Sequence, residues 1–391
     1  MQHFPHMMYK SNIWGKMMKK TAFLLSLICV LWVFPWNVTA VDAPAVSARS
    51  AVLLDAESGQ ILYGKDEHTR RGMASTTKIM TALVALEHSH LDDTVIVSPE
   101  ACGVEGSSVY LFPEEEITME ALLYALMLQS ANDAAEAIAY AVSGSIEGFV
   151  ALMNEKADAL GLSATHFDNP HGLDGETHYT TAYELAKIAA AALENETFRE
   201  IVGTEKKEIP LHNGEATRLL VNHNRLVREY DDIIGVKTGY TRACGRTLVS
   251  AAEQNGVTLI CVTLDDGNDW LDHRALLDYG FSLYETITLA ENGEFTYEIP
   301  VCGGAKTAVT LLNTETVTVS LPKQHGEIQT VIELPRFAYG GIEKGQILGA
   351  VRFFADGREI GCSPLAVSED VPEMEIQKNW LEKILFFLGI G

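Results

Sequence analysis

Ser75 and Lys78 lie three residues apart in Ser75-Thr76-Thr77-Lys78. On a helix, positions i and i+3 share a face, so the hydroxyl and the amine come within reach of one another. The stretch that follows supplies the helix: Ile79, Met80, Ala82, Leu83, Val84, Ala85 and Leu86 make Thr76 to Leu86 apolar almost all round. That pattern predicts a helix buried inside a domain, with Ser75 at its start. Backbone N–H groups and the helix dipole favour developing negative charge there, while burial disfavours the ammonium form of Lys78. A neutral lysine can take the serine proton, which is the Ser-Lys form of nucleophile activation. The spacing alone is a weak signal, because Ser320-Leu321-Pro322-Lys323 repeats it. There Pro322 forbids a helix interior and the surroundings read as strand, so the two groups are not expected to meet.

Two further constellations raise the specificity. Ser130-Ala131-Asn132 falls between two expected helices, where it could present a hydroxyl and an amide to a cleft. Taken alone, helix capping explains it as well. Lys237-Thr238-Gly239 closes an expected strand. Its Lys and Thr could hold a substrate carboxylate, and Gly would let a ligand lie against the backbone; a solvated strand end is the plainer alternative. The three elements in the order SxxK, SxN, KTG are the set used by penicillin-recognising serine enzymes. Other polar groups read more simply. His88-Ser89-His90 follows a helix end with no further ligand at metal spacing, so it reads as capping, and the sequence calls for no metal and no other cofactor. Arg242 and Arg246, just beyond the KTG strand, could assist carboxylate binding, although a surface or ion-pairing role explains them better.

These residues need a scaffold, and the chain reads as one. Ala51 to Asp55 and Ile61 to Gly64 form an opening hairpin around Ser58-Gly59. Helices are predicted over Thr118 to Leu128, Asp133 to Val142, Glu147 to Leu160 and Ala182 to Leu193. Strands follow at Ile233 to Thr238, Arg246 to Ala252 and Val257 to Leu264, the last two joined by a type I′ turn at Asn255-Gly256. Strand, helices, then strands imply an α+β domain whose sheet is closed by both chain ends, over residues 41–286. From 287 to 370, alternating segments at Ala308 to Leu312, Thr316 to Leu321 and Gly349 to Phe354 predict a small all-β, sandwich-like domain. Within the last segment, 371–391, Met374 to Gly391 places Ile376, Trp380, Ile384 and Phe387 on one face opposite Gln377, Lys378, Glu382 and Lys383. This amphipathic helix is too short and charged to span a membrane but suits its interface; docking on the β domain is the alternative.

At the other end, Lys19 and Lys20 precede the apolar run Ala22 to Phe34 and a small-residue site ending at Ala40. Residues 1–40 therefore read as a secretory signal peptide, with Met17 a possible start. The run is too short for a transmembrane anchor. The whole chain has 391 residues and 53 acidic against 29 basic side chains, net charge -24. Removing 1–40 takes four lysines and no acid, and a field of that sign repels phosphate backbones, which excludes nucleic acid as a partner. Cys102, Cys244, Cys261, Cys302 and Cys362 remain, an odd and scattered set read as mostly buried thiols with room for one disulfide.

The sequence resembles the D-alanyl-D-alanine carboxypeptidases, the low-molecular-weight penicillin-binding proteins. The likeness rests on Met73-Ala74-Ser75-Thr76-Thr77-Lys78-Ile79-Met80-Thr81, Ser130-Ala131-Asn132-Asp133-Ala134, Asn169-Pro170-His171-Gly172-Leu173-Asp174 and Gly235-Val236-Lys237-Thr238-Gly239-Tyr240-Thr241. It implies a β-lactamase/transpeptidase-like fold, a helical cluster on an antiparallel sheet. It implies Ser75 as acylated nucleophile, Lys78 as its base, Ser130 and Lys237 as proton relay, Asn132 as a ligand of the substrate amide and Thr238 as carboxylate ligand beside Gly239. The backbone N–H groups of Ser75 and Tyr240 would form the oxyanion hole. His171 would lie near the cleft in either a functional or a structural role. The implied substrates are peptidoglycan stem peptides ending in D-Ala-D-Ala, with β-lactams as covalent inhibitors. The implied place is the outer face of the bacterial cytoplasmic membrane, held by the C-terminal helix. A β-lactamase is the nearest rival, although no clear deacylating Glu of the class A kind is found. A non-catalytic wall-binding protein is a second, against which the intact Ser75, Lys78 and Lys237 argue.

Overall fold

The computed structural model describes residues 42–375 apart from 212, 213 and 215. The expected signal peptide and the expected amphipathic helix from residue 376 onward lie outside the described residues. β1 (Ser50–Asp55) and β2 (Ile61–Lys65) form the opening hairpin. After a 3-10 turn over Ala74–Thr77 comes α1 (Lys78–His88), so the helix proper starts at the lysine and the serine lies in the tighter turn before it. The short pair β3 (Thr94–Ile96) and β4 (Glu116–Thr118) leads into α2 (Met119–Leu128), α3 (Asn132–Ser143), α4 (Ile146–Ala159), α5 (Ala182–Leu193) and α6 (Glu196–Gly203). A hairpin of β5 (Lys206–Leu211) and β6 (Ala216–Val221) precedes β7 (Ile233–Thr241), β8 (Gly245–Gln254), β9 (Val257–Leu264) and α7 (Asp269–Ser282).

The five-stranded sheet has the order β2-β1-β9-β8-β7, and β1 pairs antiparallel with β9 from Ser50↔Leu264 to Asp55↔Leu259. The two chain ends of the domain therefore meet, as the element order implied. β1 is buried along its whole length because both sheet faces are covered, and its alternating side chains divide between two cores. Val52 and Leu54 join the helical cluster of α1 to α6, whereas Ala51 and Leu53 pack with Leu276 and Leu277 of α7 on the opposite face. Asn255 and Gly256 both take positive φ, 50° and 81°, the conformation a type I′ turn demands.

Local chemistry sets the helix starts. Thr118, Ser145, Thr181 and Asn195 accept N–H bonds from Ala121, Gly148, Glu184 and Phe198 at the heads of α2, α4, α5 and α6. α3 departs from this rule: its cap position is Ala131, without a side-chain bond, and Ser130 before it is held at φ 59°. The Ser130-Ala131-Asn132 segment is therefore not serving as a cap.

β10 (Tyr284–Ala290) begins three residues before the boundary expected at 287 and pairs with β13 (Val317–Pro322). β11 (Thr296–Cys302), β12 (Ala308–Asn313), β14 (Gln329–Glu333), β15 (Ala338–Tyr339), β16 (Ile347–Ala355) and β17 (Arg358–Val367) make a six-stranded sheet in the order β14-β16-β17-β12-β11-β15. Leu311, Val351, Phe353 and Leu365 form its core. Ser320 Oγ donates to the Asn255 carbonyl at 2.9 Å, so this serine bonds to the β8–β9 turn rather than to Lys323. All five described cysteines are free thiols, and only Cys261 is buried. The expectation of mostly buried thiols is corrected here: Cys302 and Cys362 point outward from β11 and β17, and the strand alternation that buries Val301 and Ser363 exposes them.

Candidate active site

Ala74, directly before Ser75, has φ 47°, a conformation that costs a residue with a Cβ free energy. The surroundings hold it there. Thr76 Oγ1 and Thr247 Oγ1 both donate to the Met73 carbonyl, at 2.5 and 3.1 Å, and Thr77 Oγ1 donates to the Ala74 carbonyl at 2.8 Å. Thr77 is itself fixed by His178, whose Nε2 lies 2.8 Å from its hydroxyl. His178 Nδ1 accepts the Asp168 N–H, so its proton must reside on Nε2 and point at Thr77. Burial lowers the pKa of His178 to about 4, which keeps that tautomer neutral. Motif spacing gave no sign of His178, which meets Thr77 across 101 residues of sequence.

Lys78 is fully buried, and its Nζ donates to Ser75 Oγ at 3.1 Å, Asn132 Oδ1 at 2.7 Å and the His171 carbonyl at 2.5 Å. Three acceptors match the three protons of an ammonium, yet burial pushes its pKa well below the usual lysine value, with the charge of Lys237 adding to the effect and Asp133 opposing it. Lys237 is buried on β7, and burial lowers its pKa to about 7; its Nζ donates to the Thr238 carbonyl at 3.0 Å. Burial thus makes both amines lose protons easily, and Lys78 also feels the charge of Lys237. Ser130 is buried, and among the described residues no hydrogen bond links its hydroxyl to either lysine. Asn132 connects the site to its wall: its Nδ2 donates to the Glu105 carbonyl at 2.5 Å and its N–H to the Ser107 carbonyl. Asp133 takes the N–H groups of Val109 and Leu111 and the Ser108 hydroxyl, fixing the same loop.

Gly239 brings β7 against the Ser75 turn, for a Cβ there would lie 2.9 Å from Ser75 N and 2.4 Å from Thr247 Oγ1. The strand edge beyond it, at Tyr240, is therefore close to the Ser75 N–H. His171 is buried; Leu173 N–H donates to its Nδ1 at 3.2 Å, so Nε2 carries the proton and faces Glu136 at 3.5 Å. Burial, with the charge of Lys78, lowers the pKa of His171 to about 3, and the neutral ring makes no ion pair with Glu136. Its contribution to the site is its backbone carbonyl on Lys78. Arg246 forms a two-pronged pair with Asp269, at 2.6 and 3.0 Å, while Arg242 is exposed.

Gly172 is the tightest neighbour of the turn. Its φ is 93°, and a Cβ would stand 2.0 Å from the Ala74 carbonyl oxygen and 2.9 Å from Ser75 N. Gly172→Ala should therefore displace the Ala74–Ser75 backbone, with a stability loss of about 2–4 kcal/mol. The acylation rate should fall by at least about tenfold, since such misplacement is costly. Urea unfolding and penicillin labelling of the variant check this, and wild-type values for both would show that the turn tolerates movement.

A family model described as D-alanyl-D-alanine carboxypeptidase matches residues 37–268, and one described as penicillin-binding protein 5, C-terminal domain, matches 284–373. The D-alanyl-D-alanine carboxypeptidase DacF of Bacillus subtilis is 34% identical over 337 residues, covering 84% of this chain and 86% of that protein. DacA of Escherichia coli is 29% identical, covering 89% and 88%. The solved structure of penicillin-binding protein 5 from Haemophilus influenzae superposes with a TM-score of 0.60 at 29% identity, covering 85% of this chain and 100% of that one.

Proposed function

The chain belongs to the D-alanyl-D-alanine carboxypeptidase family, and on that premise we propose how its residues divide the work. It is a serine D-Ala-D-Ala carboxypeptidase of the penicillin-binding kind. Its substrate is the peptidoglycan stem peptide, from which it removes the terminal D-alanine. Neutral Lys78 takes the Ser75 proton as Oγ attacks the carbonyl of the penultimate D-alanine. The developing oxyanion is met by the N–H groups of Ser75 and Tyr240. Ser130 and Lys237 pass a proton to the leaving nitrogen, the peptide bond breaks, and water later hydrolyses the acyl-enzyme. Asn132 aligns the substrate amide, and Thr238 beside Gly239 takes the terminal carboxylate. A β-lactam acylates Ser75 in the same way but keeps its leaving group tethered.

The observation that carries this reading is the 3.1 Å contact between Ser75 Oγ and a fully buried Lys78 whose charged form is disfavoured. The place of action belongs to the proposal too: export through residues 1–40, and retention at the outer membrane face by the tail. Purified enzyme is expected to release D-alanine from a peptide ending in D-Ala-D-Ala and to hold one bound penicillin with slow turnover. Rapid penicillin hydrolysis without D-alanine release would instead mark a β-lactamase, and neither reaction would mark a wall-binding protein.

A further inference from the structure

The β domain carries an apolar groove of about 330 Å³ walled by Pro335, Phe337, Tyr339, Ile342 and Leu348. Phe337 and Tyr339 stack edge to face yet are 44% and 71% exposed. Isolated exposed apolar residues are ordinary, but a contiguous recess of them marks something that covers it.

The course of the chain says what does. Ile342, in the groove wall, exchanges backbone hydrogen bonds with Val371, and Gly341 N–H donates to the same Val371 carbonyl at 2.8 Å. Met374 N–H reaches the Gly303 carbonyl at 2.8 Å, and a Cβ on Gly340 would touch that same carbonyl. The described chain thus leaves along the rim of the groove, with Met374 59% exposed. Residues 376–391 follow directly, and their sequence sets Ile376, Trp380, Ile384 and Phe387 at one-face spacing. Six residues separate Met374 from Trp380, at most about 20 Å of chain, so Trp380 can reach the groove.

Charge separates this occupant from a lipid surface. Residues 284–375 hold fourteen carboxylates against six lysines and arginines, whereas residues 376–391 hold Lys378 and Lys383 against Glu382 alone. An anionic bilayer repels the first and attracts the second. We propose that, away from lipid, this groove holds the apolar face of the chain's own residues 376–391. The groove and the membrane then compete for one segment, and binding to lipid requires the tail to leave the groove.

The test uses the full mature chain, in which Trp270 and Trp380 are the tryptophans, with Trp380→Phe to subtract the former. In lipid-free buffer Trp380 should be shielded from acrylamide. Phe337→Ser combined with Tyr339→Ser should raise its quenching several-fold and shift its emission to the red. The same variant should bind neutral phosphatidylcholine vesicles several-fold more tightly, because the competing site is gone. Tyr339→Ser alone, at a largely exposed position, should move both readouts in the same direction. An unchanged thermal midpoint and unchanged D-alanine release from a short peptide check the fold. Quenching that is the same in wild type and variants overturns the proposal. Weaker vesicle binding by the variants overturns it in favour of lipid in the groove, and shielding that depends on protein concentration in favour of a second copy. None of these readouts requires the assigned catalytic roles to be correct.

Discussion

Ser75→Ala should abolish D-alanine release and covalent penicillin labelling together, with kcat/KM falling about 10⁴- to 10⁶-fold. The size follows from what the substitution removes. The single oxygen that accepts the Lys78 bond is, in the proposed mechanism, also the atom that forms the acyl ester. The fold should survive, because Lys78 keeps its bonds to Asn132 and the His171 carbonyl, and Ser75 is only partly buried. Mass spectrometry after penicillin treatment, alongside a thermal melt, reads both halves. An acylated Ser75→Ala protein would move the nucleophile elsewhere.

Lys78→Met should cost about 10²- to 10⁴-fold in acylation, the usual worth of a positioned base. Its pH signature separates it from Lys237. Lys78 works as a base only when neutral, so the rate should climb as pH rises through its depressed pKa. Lys237 holds a carboxylate or donates a proton only when charged, and its pKa is lowered to about 7, so the rate should fall above that pH. Neither His171 nor His178 should contribute, with pKa values lowered to about 3 and about 4. Lys237→Arg keeps the charge at every working pH and should erase the alkaline fall even if the peak rate drops. A profile of β-lactam acylation from about pH 5 to 10 tests this, and an alkaline limb that persists in Lys237→Arg would reassign it.

The same shift has a stability sign. Folded Lys237 loses its proton near 7, whereas the unfolded lysine keeps one until well above that. The unfolded state therefore binds more protons across that window, and this group's contribution to folding becomes more favourable as pH rises through it.

The motif residues were legible in the sequence because their chemistry is local: Ser75 and Lys78 share a turn, and Lys237 to Gly239 share one strand, which runs on to Thr241 rather than closing at the motif. α7 was not legible, because Asp269, Asp272 and His273 interrupt its apolar spacing. They are nonetheless buried, by tertiary bonds from Arg246 to Asp269, from Ser47 to Asp272, and between His273 and both Ser250 and Thr263. The β5–β6 hairpin was missed for a similar reason. Its Arg218 is spent on a buried pair with Glu115 and on the Val109 and Tyr110 carbonyls, contacts made across more than a hundred residues. His178 belongs to the same class, since a histidine that fixes a threonine leaves no periodic trace.

The pairing of Ser50 with Leu264 also dictates an order of events. The first strand of the catalytic domain cannot find its central partner until the last strand exists, and closing so long a loop is slow because its entropy must be lost before any contact repays it. Ser75 follows the first hairpin, Gly172 presses on it from mid-chain and Gly239 from β7, so the reacting groups converge only once that late strand has docked. Penicillin binding by this chain should therefore report completed folding: a nascent or partly folded copy has the serine but not the turn around it.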